Sequence, residues 1–171
     1  QKARHCAAKA IIKALRSAPS GVLLLLENTA GKRGDFTSSI NTLAEIIDIC
    51  NTSAIGGICI DTCHAFSSGY DLTSREGIER LLSEVDQYIG IDRLRLIHLN
   101  DSKRPLGSGI DRHEHIGKGC IGFRGFRTLL SDRRILNIPM ILETPKEHDG
   151  DDRKNLRRVL RILPNKPVSL S

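Results

Sequence analysis

The sequence predicts an α/β fold in which an opening helix is followed by about four strand–helix units. Nearly continuous apolar runs, VLLLL at 22–26 and IPMIL at 138–142, are typical of strands buried on both faces, and amphipathic segments with helical spacing separate such runs. Strands that alternate with helices form a parallel sheet. A closed (β/α)8 barrel has eight strands in typically about 250 residues. The chain of 171 residues therefore predicts a partial TIM barrel.

The first half of the chain supplies two helices and two strands. In order, they are predicted as a helix over 2–16, a strand over 22–26, a helix over 40–47 and a strand over 58–60. Pro19 and Gly21 end the first helix, because proline lacks an amide hydrogen and glycine favours a turn. The two strands end on carboxylate residues, Glu27 and Asp61.

The second half repeats this alternation. Its predicted elements are a helix over 73–89, a strand over 94–97, a short helix around 126–130, a strand over 138–142 and a last helix over 156–163. Thr73 and Glu76 fit a capping box that opens the first of these helices, and Gly90 ends it. Pro164 ends the last helix. A small open doubly wound sheet is the alternative architecture, but no glycine-rich phosphate loop follows the first strand to support its nucleotide-binding version.

Composition indicates a single globular domain over residues 1–171. The chain is 39% hydrophobic and 27% charged, has no apolar run near the roughly 18 residues of a membrane span, and lacks a secretory signal. We therefore expect an intracellular protein with no membrane partner. Its five cysteines are an odd number without CxxC pairing, which argues against a disulfide framework and a cysteine zinc finger. The net charge of +6 suits a polyanionic partner.

Metal-ligating residue types stand at the carboxyl ends of four successive predicted strands. They are Glu27, Asp61, His98 and Glu143. Parallel α/β barrels assemble their active sites at this end of the sheet from separate strands. A single carboxylate after a strand is usually a helix cap, but carboxylates that converge on one barrel mouth repel one another unless cations neutralise them. The four positions together predict a metal site.

Two short segments add further histidine and carboxylate ligands. Asp61 and His64 lie three residues apart, whereas Asp111 and His113 lie two apart, so that an extended backbone projects the second pair to one side. A mixed set of imidazole and carboxylate ligands favours zinc or a similar divalent ion over magnesium. For Asp111 and His113, a solvated polar loop remains the alternative.

Five segments resemble the signature motifs of the endonuclease IV family of apurinic/apyrimidinic endonucleases, within the xylose isomerase-like TIM barrel superfamily. They are LLLENTAG at 24–31, CIDTCHAFSSGYDL at 59–72, HLNDSK at 98–103, DRHEHIGKG at 111–119 and ILETP at 141–145. The resemblance extends from the opening helix to the last one. It implies a TIM barrel that holds three zinc ions, and a chain that corresponds to the C-terminal part of such a protein.

The resemblance also implies a set of metal ligands, which are Glu27, Asp61, His64, His98, Asp111, His113 and Glu143. Glu27 bridges the first and second zinc ions, and His64 holds the third together with Asp111 and His113. The other three residues complete the second site, and His115 falls outside the set. In the family, the first zinc takes two further histidines from strands that precede this sequence.

The implied reaction is hydrolysis of the phosphodiester 5′ to an abasic site in duplex DNA, which leaves a 3′-hydroxyl and a 5′-deoxyribose phosphate. Zinc activates the attacking water, and Glu143 can hydrogen-bond it, so Glu27 and Glu143 are the candidate catalytic residues. Lys103, Arg104 and Arg112, beside the ligands, are candidate contacts to DNA phosphates. We expect no obligate protein partner, and a nuclear location in a eukaryote or a cytoplasmic one otherwise.

Two other functional classes stay open. A sugar isomerase or epimerase on a related barrel also places such ligands on successive strands, although it has no evident need for His64, Asp111 and His113. A non-catalytic remnant that binds metal or DNA weakly is the second alternative. Four strand–helix units leave exposed sheet edges, and the first zinc keeps only Glu27. We therefore expect the 171-residue chain to have little endonuclease activity by itself.

Overall fold

A computed structural model describes residues 1–32 and 35–164. The helices are α1 (Lys2–Leu15), α2 (Ile40–Cys50), α3 (Thr62–Ser68), α4 (Arg75–Tyr88), α5 (Gly122–Leu129) and α6 (Asp151–Ile162). The strands are β1 (Leu24–Glu27), β2 (Ile55–Asp61), β3 (Leu94–His98), β4 (Asp101–Ser102), β5 (His113–Glu114) and β6 (Met140–Ile141). None of the helices in these two ranges combines the length and hydropathy needed to cross a membrane.

Four of the strands form one parallel sheet in the order β1, β2, β3, β6, and helices lie between them in the chain. The register pairs Glu27 with Cys59 and Asp61 with His98, so the carboxyl ends of neighbouring strands lie close together. The predicted α/β architecture of a partial TIM barrel is confirmed. Strands β4 and β5 pair antiparallel and form a separate hairpin.

The two faces of the sheet have different surroundings. Side chains alternate between the faces of a strand, and Ile58, Ile60 and Ile97 belong to the apolar core that also contains buried residues of α2 and α4. Burying a side chain of this size stabilises the fold by about 1.5–3 kcal/mol. Cys59 and Asp61 alternate with these isoleucines and therefore project from the opposite face, which carries the polar groups at the strand ends.

The helices cover the core side of the sheet in chain order. Helix α1 packs on α2, α2 on α4, α4 on α5, and α5 on α6. Phe126 of α5 is 0% exposed and is among the largest fully buried side chains of the core. The start of α6 is tied down by the Asp151 carboxylate, which accepts hydrogen bonds from the backbone of His148 and the Lys154 ammonium.

Helix α4 begins one residue later than the predicted capping box. Ser74 is its N-cap and accepts a hydrogen bond from the Gly77 amide at 3.1 Å. The predicted cap, Thr73, instead donates its hydroxyl and its amide to the Asp71 carboxylate, because that side chain offers the local backbone an alternative turn. The capping box is therefore wrong, but the end of the helix is as predicted, since Gly90 has a φ of 95° and its amide bonds back to Val85.

Strand limits differ from the prediction at both ends of the sheet, and helix α3, the β4–β5 hairpin and a 3-10 helix at Ile91–Arg93 were not predicted. Strand β1 begins at Leu24, whereas Val22 and Leu23 are 55% and 58% exposed. Strand β6 contains only two residues after Pro139, whose ring nitrogen cannot donate to the ladder. Helix α3 follows β2 without a connecting loop, and the β4–β5 hairpin is too short to give a periodic pattern.

Candidate metal centre

The four predicted strand-end residues meet in one cluster. Glu27 and Asp61 end β1 and β2, His98 ends β3, and Glu143 lies two residues after β6. The Nδ1 atom of His98 is 3.1 Å from Glu27 Oε1 and 3.4 Å from Glu143 Oε2. Because the neighbouring strands end at the same edge of the sheet, these residues lie close together although they are far apart in sequence.

The remaining three predicted ligands lie beside this cluster. His64 is in the first turn of α3, and its Nδ1 atom is 3.3 Å from Glu27 Oε1. The Asp111 carboxylate lies between two imidazoles, 3.2 Å from Nε2 of His64 and 3.2 Å from Nε2 of His113. His113 Nε2 is also 3.6 Å from Asp61 Oδ2, which links this group to the strand ends.

The electrostatics of the cluster favour positive charge at its centre. Burial raises the pKa of Glu27, but hydrogen bonds and charges from His64 and His98 outweigh burial and lower it. Burial raises the pKa of Asp61, and its neighbours offset this only in part. For His64, burial lowers the pKa, but Glu27, Asp61 and Asp111 reverse that effect and raise it to about 10. A divalent cation supplies such charge more effectively than a proton.

The side chains are close enough to hold metal ions. The ligand atoms of Asp61, His98 and Glu143 all lie within 4.8 Å of one another, and so do those of Asp61, His64 and His113. The Nε2 atom of His113 is buried and lacks a hydrogen bond of good geometry among the described residues, although it faces two carboxylates. A buried ring nitrogen is costly without a partner, and an imidazole aimed at carboxylates suits a zinc ligand.

With this geometry established, comparison with known proteins places the chain in a family. A family model described as xylose isomerase-like TIM barrel matches residues 2–166. The chain belongs to this family. Its fold is therefore shared with a group of barrels whose sites lie at the carboxyl ends of the strands, which is where the candidate ligands are found.

The resemblance of this family member to endonuclease IV is confirmed. It is 46% identical over 143 residues to a probable endonuclease 4 of Methanoculleus marisnigri, which covers 84% of the chain and 51% of the relative. A probable endonuclease 4 of Aquifex aeolicus is 45% identical over 133 residues, covering 78% and 47%. The crystal structure of endonuclease IV from Thermus thermophilus matches with a TM-score of 0.79 at 34% identity, over 91% of this chain and 55% of that one. The chain spans about half the length of the curated relatives it matches.

Two buried asparagines, which were not among the predicted site residues, position two of the predicted ligands, Asp61 and Glu143. Asn28 exchanges hydrogen bonds with the Asp61 backbone, at 2.8 Å from the amide and 3.2 Å to the carbonyl. The Asn100 side-chain amide donates to Asp61 Oδ2 at 2.7 Å, and its carbonyl accepts from the Glu143 backbone at 2.8 Å. Each asparagine follows a strand end by one or two residues, and each lies within a segment that resembles the family motifs, LLLENTAG for Asn28 and HLNDSK for Asn100.

Two buried cysteines also lie at the cluster. Cys59 shares a candidate group with Glu27 and His98, and Cys63 shares one with Asp111 and His113. Burial raises the pKa of Cys59 to about 12, so its sulfur is a neutral thiol at neutral pH. Burial also raises the pKa of Cys63. Free cysteine is among the most buried residue types and packs as a small apolar side chain, which is the role these two cysteines were predicted to have.

Asp101 organises the loop that follows the β4–β5 hairpin. Its fully buried carboxylate accepts hydrogen bonds at 2.9 Å from the backbone amides of Ser102, Gly117 and Gly119, and at 3.0 Å from that of Ile121. Only glycine fits at position 119, because a Cβ atom there would lie 2.4 Å from Ser102 O. The loop anchors the strand that carries His113.

The predicted basic residues lie at the edge of the cluster. Lys103 Nζ is 4.0 Å from Glu114 Oε2 and from Glu147 Oε1. The Arg112 guanidinium donates to the Asp111 backbone carbonyl at 2.9 Å, and Arg104 is exposed. Their role as DNA contacts remains a prediction.

His115, which the resemblance placed outside the ligand set, lies in no candidate metal group among the described residues. Its Nδ1 atom contacts the Asn155 amide at 3.0 Å.

Proposed function

We propose that this chain carries the metal-binding half of the active site of an endonuclease that cuts duplex DNA at abasic sites. The observation that carries the proposal is the convergence of the seven predicted ligands on one end of the sheet. The buried Nε2 atom of His113, which has no hydrogen-bond partner among residues 1–32 and 35–164, supports it. The relatives named as probable endonuclease 4 and the similar crystal structure of endonuclease IV also support a nuclease.

The ligands divide into groups that suit zinc. Asp61, His98 and Glu143 would hold one ion, with Glu27 shared between it and a neighbouring ion. His64, Asp111 and His113 would hold another, and the 3.2 Å contacts of the Asp111 carboxylate with both imidazoles support this assignment. Imidazole and carboxylate together are ligands that zinc accepts readily and magnesium does not. A sugar isomerase gives no reason for this second group.

Bound zinc would act as a Lewis acid that acidifies water near neutral pH and neutralises charge on a departing oxygen. The residues supply the remaining functions. The Glu143 side chain is 48% exposed at the edge of the cluster, where it can accept a hydrogen bond from the attacking water. Asn100 holds Glu143 and Asp61 in place. The products would be a 3′-hydroxyl and a 5′-deoxyribose phosphate.

The proposed partner is abasic duplex DNA, with Lys103, Arg104 and Arg112 contacting its phosphates. The carboxylates 4.0 Å from the Lys103 ammonium offset part of its charge, so its contribution to binding would be small. A DNA substrate implies a cytoplasmic location in a prokaryote and a nuclear one in a eukaryote.

The metal assignment is tested by comparing Glu27→Ala with the control Lys103→Ala in the 171-residue chain. Glu27→Ala should lose bound zinc because a shared carboxylate organises two ions, whereas Lys103→Ala should retain it. Elemental analysis of the purified proteins measures this directly. Equal zinc in both variants would show that Glu27 is not a ligand.

The reaction is tested in a chimera in which this chain replaces the matching segment of the Thermus thermophilus enzyme, over the 55% of that protein that the alignment covers. The chimera should nick abasic duplex DNA and lose activity with a strong zinc chelator. A requirement for added magnesium, or activity that survives the chelator, would overturn the proposal.

Tested by itself, the chain should nick abasic DNA far more slowly than the chimera. The family resemblance assigns two further histidines to the first zinc, and within the described residues only His64, His98 and His113 lie in candidate metal groups. Comparable turnover of the two proteins would contradict this account.

A further inference from the structure

A basic groove lies between the start of α4 and helix α5, outside the metal cluster. It has a volume of about 680 Å³, and its walls carry the three arginines Arg75, Arg124 and Arg127. Hydroxyl groups of Thr128 and Ser131 also line it, and among the described residues Glu76 is its only carboxylate. We name this feature the α4–α5 groove.

The three arginines form no ion pair in the part of the chain that the structure describes, and all three are exposed. The nearby carboxylates are engaged elsewhere. Arg134 Nη2 is 2.7 Å from Glu79 Oε2 and 2.7 Å from Asp132 Oδ2, so these two acids already have a cation. Arg75 also helps to lower the pKa of Asp132, so part of its charge is offset, whereas the charges of Arg124 and Arg127 are available to a ligand.

Helix stability does not explain Arg75 and Arg124, whereas Arg127 lies in the last turn of α5, where a cation is favourable. Arg75 is the first residue of α4, and Arg124 is the third residue of α5. The start of a helix carries partial positive charge, so a cationic side chain there is unfavourable. Two helix starts with arginines that point into one groove instead create a region that attracts anions.

The position of the groove suggests which anion. Helices in a parallel α/β barrel begin at the carboxyl end of the sheet, and the candidate metal cluster lies at that same end. Duplex DNA carries about one negative charge per 1.7 Å of its axis, so a duplex placed at the cluster extends further backbone phosphates beyond it. We propose that the α4–α5 groove binds backbone phosphates of the DNA that flanks the reacting site. This inference rests on the proposed function.

The test measures how the affinity for duplex DNA depends on salt in the chimera described above, in which this chain replaces the matching segment of the Thermus thermophilus enzyme. Fluorescence anisotropy would follow binding to a duplex with a stable abasic-site analogue and to the same duplex without it. The test variant carries Arg75→Gln, Arg124→Gln and Arg127→Gln. A second variant replaces the same three arginines with lysine. The matched control removes three charges from α6 through Arg153→Gln, Arg157→Gln and Arg161→Gln.

Each lost phosphate contact reduces the slope of log affinity against log salt by about 0.9. The glutamine variant of the groove should therefore lose about 2 to 3 units of slope, and about 8-fold in affinity per contact at roughly 0.1 M salt. The lysine variant should keep the slope, because phosphate contacts need charge more than shape. The α6 control should also keep it. Circular dichroism verifies that the variants are folded.

Two results would overturn the inference. If the slope of log affinity against log salt fell equally in the groove and α6 glutamine variants, only total charge would matter. If the slope were unchanged in the groove glutamine variant, the groove would not contact DNA. In both cases, the proposed function is not contradicted if the protein still binds the abasic duplex more tightly than the intact one. A chimera that binds DNA through the groove without such a preference would contradict the proposed function alone, whereas no DNA binding at all would contradict both.

Discussion

Replacing Asp101 with asparagine should destabilise the fold, although the side chain keeps its size. The aspartate carboxylate accepts four backbone hydrogen bonds of 2.9–3.0 Å, two on each oxygen. Asparagine offers one oxygen and one NH₂ group, so whichever way the amide turns, two backbone N–H groups face another donor. An unsatisfied buried donor costs about 1–3 kcal/mol. Because the glycines of this loop are only half-buried, we expect a loss of about 3 kcal/mol, out of roughly 5–15 for a domain.

Urea unfolding followed by circular dichroism measures this loss. With a slope of about 2 kcal/mol per M, the midpoint should fall by about 1.5 M in Asp101→Asn. Asp149→Asn is the matched control, because Asp149 is exposed and its carboxylate makes no hydrogen bond in the described structure. The Asp101 variant should also bind less zinc, since its loop anchors His113. A midpoint equal to that of the control would refute the proposed role of the carboxylate.

Three further predictions concern stability, measured by thermal or urea unfolding. Ser74→Ala should lower the free energy of unfolding by about 1 kcal/mol, and Thr73→Ala should lower it less, because Ser74 is the N-cap of α4. The reverse order would support the predicted capping box at Thr73 instead. Phe126 is fully buried, so Phe126→Ala should lower the free energy of unfolding by about 3–5 kcal/mol. A loss below about 1 kcal/mol would mean that neighbouring side chains move in to fill the cavity. The bond from Lys154 helps to lower the pKa of Asp151 from 3.8 to about 2, so its contribution is present above pH 3.8 and lost as the pH falls towards 2. The difference between the wild type and Asp151→Asn should therefore shrink over that interval, and a constant difference would contradict this assignment.

The elements that the sequence predicted well are those with a strong periodic pattern. The apolar residues of α4, from Ile78 to Val85, are all buried as helical spacing requires. Its first turn was predicted less well, because Asp71 competes with the helix for the Thr73 groups and such competition depends on local geometry. Helix α3 buries polar and apolar residues on several sides, so its sequence carries no amphipathic pattern.

The types of residue at the candidate site could be predicted from the sequence, but the residues that hold them in position could not. Carboxylates and histidines at strand ends are visible in sequence, since parallel strands end at one edge of the sheet. The amide of Asn100 reaches the Glu143 backbone across 43 residues, and no spacing rule indicates such a partner. The same holds for Asp101, whose partners lie up to 21 residues away, mostly in a loop without regular structure.

Asp61 combines a structural role with its proposed role as a metal ligand, and natural variation cannot separate the two. Its carboxylate caps α3 by accepting the His64 amide at 2.9 Å, and it also faces the His113 imidazole. A descendant of this chain that had lost all metal chemistry would still gain stability by keeping an aspartate at that position. Asp111 is different, because its side chain is 53% exposed and its carboxylate contacts only the two imidazoles in the described structure. Among related sequences, the residue at position 111 is therefore the better marker for separating working nucleases from those that have merely retained the fold.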